Sequence, residues 1–90
     1  MTPAERREGG VRLCRRLAKD VAHLAPEGIG RWDRAWDIVG PSDAEFMLAL
    51  AKWEETGSED DKPALRAAYF AVLDAWRQAA AEYGRQGAGR

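Results

Sequence analysis

Ninety residues make one domain, and a formal net charge of −1 argues neither for nor against a nucleic-acid partner. The single cysteine, Cys14, excludes a disulfide framework within the chain. The start (Met1-Thr2-Pro3-Ala4-Glu5) has no apolar segment of signal-peptide type, and apolar runs such as 46–51 are too short to span a bilayer.

A reducing cytoplasm is therefore the expected setting, with no membrane partner. Asn is absent while Ala, Arg and Gly are abundant, the composition of a GC-rich bacterial genome. Four Trp, two Tyr and two Phe supply large apolar areas, so a core without metal or cofactor is within reach. A chain this short buries only about 60–65% of its unfolded surface, so a second copy could help complete that core. Charge is unevenly spread: residues 1–25 carry a net +3, 26–62 a net −6 and 63–90 a net +2.

The first helix is expected over 3–24. Thr2 with Glu5 reads as a capping box, and Pro3 suits the first helical position. Leu13, Cys14, Leu17, Val21 and Leu24 form its apolar stripe. Gly9 and Gly10 weaken its start and could hinge an N-terminal arm away from the bundle, since each Gly costs about 1 kcal/mol against Ala.

A second helix is expected over 29–39, with Ile29, Trp32, Trp36 and Val39 on one face and Gly40-Pro41 as its stop. Ser42 then caps a third helix over 42–56, with Glu45 completing a second capping box and Gly57 ending it. Phe46, Leu50 and Trp53 form its main stripe. Ala44, Leu48 and Ala51 form a second apolar face, which places this helix centrally or at an interface.

Asp60 or Asp61 can cap a fourth helix over 62–83, with Pro63 in its first turn. Its apolar residues, Leu65, Tyr69, Val72, Trp76, Ala79 and Tyr83, recur at spacings of four and three along one stripe. The fold expected is all-α: one domain over 1–85, a bundle of about four helices of antiparallel up-down type, and a disordered tail over 86–90.

Several surfaces are candidates for function. On the first helix Arg12, Arg15, Arg16 and Lys19 fall together opposite Leu17, a face suited to phosphate backbone or another anionic surface. It competes with the plainer reading of a solvated helix face. Phe70 projects about 140° from Leu65 among Arg66, Asp74 and Arg77, and an aromatic flanked by two Arg has the composition of an interface hot spot. Leu48 between small neighbours is a second contact candidate. Trp32, Trp36, Trp53 and Trp76 read first as core, and secondarily as walls of a pocket for an apolar small molecule.

The turn at Gly40 has the outline of a helix-turn-helix. The following helix, however, begins with Asp43 and Glu45, the wrong charge for a phosphate-lined groove. His23 with Asp20 and Glu27 is a poor metal set, and the run Glu54, Glu55, Glu59, Asp60, Asp61 lacks calcium-loop grammar. Arg31 and Arg34 stand ready to pair with Asp33 and Asp37. Cys14 on the core stripe reads as inert. No catalytic grouping emerges.

The sequence thus points to a non-enzymatic helical module, a regulator or accessory subunit that binds another protein or a second copy of itself through Phe70, Arg66, Arg77 or Leu48. The alternatives are a nucleic-acid accessory protein using the basic face of the first helix, and a carrier of an apolar small molecule.

Overall fold

A computed structural model describes residues 1–88 and is all-helical among them, with three long helices rather than four. These are α1 (Pro3–Leu24), α2 (Asp33–Thr56) and α3 (Lys62–Ala88), with single 3-10 turns at Ile29–Arg31 and Glu59–Asp61.

The capping box at the start of α1 is present in full. The Glu5 amide donates to Thr2 Oγ1, and the Thr2 amide donates to the Glu5 carboxylate. Gly9 and Gly10 make no hinge: α1 is continuous, and Gly10 is buried against α2. A Cβ on Gly9 would lie 3.3 Å from the Trp53 ring, and one on Gly10 would meet the Glu54 carboxylate. The pair lets two helices approach closely, which offsets part of its low helix propensity.

The expected break at Gly40-Pro41 does not occur. Pro41 lies inside one 24-residue helix, so Ser42 is an interior residue and not a cap, and no helix-turn-helix exists. An interior proline costs about 3 kcal/mol in lost hydrogen bonding and steric conflict. Against that stands one buried stripe that keeps phase across the proline: Ala35, Val39, Phe46, Leu50 and Trp53. Val39 and Phe46 are seven residues apart, two helical turns, so a single continuous helix buries both. Pro41 itself faces solvent.

Gly57 ends α2 in the left-handed region, φ 62°, as its position predicts. The turn that follows is braced by Ser58 Oγ, which accepts from the Asp60 amide, and by a hydrogen bond from Thr56 Oγ1 to the Asp61 carboxylate. Asp61 also lies 3.6 Å from Lys52 Nζ. Thus Ser58 caps the 3-10 turn, and Asp61 ties that turn to α2. At the other end α3 runs past Tyr83-Gly84 to Ala88, beyond the expected end, so the tail expected from residue 86 is helical as far as it is described. Residues 89 and 90 lie outside the described residues.

Consecutive helices run in opposite senses. Arg6 near the start of α1 donates from Nε to the Glu54 carbonyl near the end of α2, at 2.8 Å. Arg34 near the start of α2 pairs with Glu82 late in α3, at 3.7 Å, in place of the local pairing with Asp33 or Asp37. The outline is a rod of 53 × 18 × 17 Å. Its radius of gyration is 14.9 Å, against about 12 Å for a compact chain of this length.

The core is the α2–α3 seam. Ala35, Val39, Phe46, Val72 and Ala79 are almost wholly shielded, with Leu65, Tyr69, Leu73 and Trp76 beside them. The stripe expected on the last helix is therefore the core face of α3, with Tyr83 half-buried against Trp32, ring centroids 5.5 Å apart. Trp36 departs from expectation. It is 50% exposed, stacks edge-on against Trp76 at 5.4 Å, and donates its indole N–H to the Gly30 carbonyl. No described helix is long and apolar enough to cross a membrane.

Candidate functional site: a groove between the first and third helices

The two glycines and Arg6 draw the start of α1 towards α2. Arg6 grips the end of α2 there, satisfying the Glu54 carbonyl and reaching that of Glu55 at 3.5 Å. A groove of about 800 Å³ lies between α1 and the first turns of α3. Leu13, Trp53, Leu65 and Tyr69 give it an apolar lining, and Phe70, 49% exposed, stands at its rim.

The groove's charged residues are Arg16 and Asp20 from α1, Glu59 from the turn, and Lys62 and Arg66 from α3. Their partnerships differ. Asp20 accepts a hydrogen bond from the Tyr69 hydroxyl, which joins α1 to α3. Glu59 pairs with Lys62 at 2.8 Å. Arg16 and Arg66 have no carboxylate within 4.0 Å among the described residues, and Arg66 instead lies 5.9 Å over the face of Phe70. Phe70 in turn stacks edge-on with Tyr69 at 5.7 Å. Burial, then the neighbouring Asp20 carboxylate, push the Tyr69 phenol up to about 12, so the hydroxyl stays a donor at neutral pH.

The candidate residues thus separate. Phe70, Arg66 and Arg16 meet in one groove, although Arg16 belongs to the basic face and the other two to the aromatic hot spot. Arg77 does not join them: it is exposed two turns further along α3 and engaged with Asp74 at 2.7 Å. Leu48 lies on α2 away from the groove and is 73% exposed, so the second apolar face of α2 is a surface and not a central seam. Arg12 and Lys19 stand exposed on the outer crest of α1.

Arg15 lines a smaller depression of about 460 Å³ between α1 and α2, beside Val11, Cys14, Met47 and Glu54. The Cys14 thiol is raised by burial and then by Glu54 and Asp43, which keeps it protonated and unreactive at neutral pH.

Sequence reasoning missed Leu13 and Trp53 as groove lining, the Asp20–Tyr69 link, and Arg6 as the clamp. No local signal marks these, because each depends on a partner about fifty positions away. The four tryptophans are not gathered round one opening. Trp32 and Trp36 stack on Tyr83 and Trp76, while Trp53 lines the groove with its indole N–H buried and without an acceptor among the described residues. His23 is exposed, and among the described residues no three metal-binding side chains are grouped.

No family model, no curated protein and no solved structure matches this chain.

Proposed function

We propose that the chain works in the cytoplasm as a non-enzymatic protein-interaction module, a small regulator or accessory subunit, and that its working surface is the α1–α3 groove. The carrying observation is the meeting of a half-exposed Phe70 with Arg66 and Arg16 above an apolar lining. Aromatic and Arg side chains around a partly desolvated pocket are the groups that dominate protein–protein binding energy.

The test is capture from the host lysate by the wild-type chain and by Phe70→Asp, with the fold of each checked by circular dichroism. Loss of a stoichiometric protein on substitution supports the reading. Unchanged capture by Phe70→Asp refutes it. A homodimer through the same surface is a form of this reading, and its signature is a mass that Phe70→Asp halves.

A second reading is favoured by a separate observation. Arg12, Arg15, Arg16 and Lys19 lack ion-pair partners among the described residues, so the acidic middle of the chain does not neutralise them locally. Such a surface suits a sequence-independent nucleic-acid contact. This reading requires binding that weakens steeply with salt and is lost when Arg12, Arg15 and Arg16 become Ala. Salt-insensitive or absent binding removes it.

A further inference from the structure

We infer that the groove's occupant is an acidic amphipathic α-helix of about three turns, presented by another protein; this rests on the groove being the working surface. Length comes first. The α1 wall runs from Gly9 to Asp20, about 16 Å at 1.5 Å per residue, which is three turns of helix.

Backbone chemistry comes second. Every described wall of the groove is helical, so no sheet edge is offered to an extended peptide. A strand laid on Leu13, Trp53, Leu65 and Phe70 would press unpaired amides and carbonyls against apolar surface. A helix satisfies its own backbone and offers only side chains, the usual solution for an apolar groove.

Charge comes third. Both groove carboxylates are already committed, Asp20 to Tyr69 and Glu59 to Lys62. Arg16 on one wall and Arg66 on the other remain without carboxylate partners, and Arg12 and Lys19 extend the positive edge along α1. The complementary ligand has apolar residues along one stripe and Asp or Glu flanking it on both sides, one flank for each wall.

A nucleic-acid strand would match the charges but leave the apolar lining and Phe70 against a phosphate backbone. A second copy of this chain offers apolar stripes of its own, but the exposed stripe with acidic flanks nearest in kind, around Ala44, Leu48 and Ala51, is fixed in the middle of α2. Seating that stripe would bring two whole rods together, whereas the groove is only three turns long.

The experiment uses the full chain and two labelled synthetic peptides read by fluorescence anisotropy. One is an end-capped helix with a Leu stripe flanked by Glu, and the other is its twin with Lys replacing each Glu. Amide chemical shifts of the chain locate the binding. The acidic peptide is expected to bind along 9–20 and 62–70, and its basic twin is not. Arg16→Glu combined with Arg66→Glu should weaken the acidic peptide about tenfold or more and admit the basic twin.

Equal binding of both peptides, no binding of the acidic peptide up to about 1 mM, binding that maps to 44–51, or a groove filled by a second copy would each overturn the inference. Failure here is separable from failure of the module itself. If Phe70→Asp still abolishes capture while the acidic peptide does not bind, the groove stands and its assigned occupant falls.

Discussion

The α2–α3 hairpin and α1 are built to different standards. The hairpin interdigitates long, continuous stripes, with Ala35, Val39, Phe46, Val72 and Ala79 almost wholly out of water. In α1 only Gly10 and Leu17 are buried, and the rest of its stripe, Leu13, Cys14, Val21 and Leu24, is half-covered. Two specific polar ties compensate: Arg6 on the carbonyls ending α2, and Asp20 on the Tyr69 hydroxyl. The difference teaches where stability resides and where surface is left for the proposed contact. The hairpin holds most of the buried core, while α1 covers it less completely and carries cations without carboxylate partners at the groove proposed as the working surface.

The sharpest way to test this division is to damage each part. Phe46 is 1% exposed, and Phe46→Ala should cost about 3–5 kcal/mol, a large share of the stability of so small a domain. Urea denaturation followed by circular dichroism should show loss of all three helices together. Leu17→Ala should cost about 2 kcal/mol, the low end for a core leucine. Its effect should be regional: hydrogen exchange speeds up in 3–24 while protection in 33–56 and 62–86 persists. Equal, global loss from both substitutions would erase the distinction.

A smaller effect is expected where the two regions meet. Gly57 has a positive φ, and a Cβ there would lie 2.7 Å from Arg6 Cδ. Gly57→Ala should cost about 1–2 kcal/mol from left-handed backbone alone, and should also displace the Arg6 clamp. Exchange at the start of α1 reads the displacement.

The Tyr69 tie gives a pH test. Its folded value, about 12, lies above the ordinary 10, so the native state holds a proton that the unfolded chain releases. That contribution is complete below pH 10 and is lost as pH rises towards 12. The wild type should lose denaturant resistance over that range faster than Tyr69→Phe does. At the bottom of the scale, Leu48→Ser should alter stability by no more than about 0.5 kcal/mol and leave partner capture intact. If it abolishes capture instead, the working surface is α2.

Much of this arrangement is legible in the residues, and its failures have a common cause. Helical class, the cap at Thr2, the stop at Gly57 and the core face of α3 follow from spacing and capping chemistry within a few positions. The break at Gly40-Pro41 fails because a local stop signal competed with a stripe that stays in phase from Val39 to Phe46, and burial against α3 prevailed. The same local logic puts Trp36 inside, whereas the burial of Ala35 and Val39 turns its ring to the flank.

Within the candidate site, Phe70, Arg66 and Arg16 were visible as chemistry, but as two separate features. Their convergence depends on how α1 packs on the hairpin, where its two glycines meet Trp53 and Glu54 more than forty residues away. Periodicity within one helix carries no information about that distance.

Hydrogen exchange of the chain with and without its captured partner tests the central claim most directly. The account predicts that added protection concentrates in 9–20 and 62–70, the two walls of the groove. Protection confined to 44–51, or spread evenly over the rod, would contradict it.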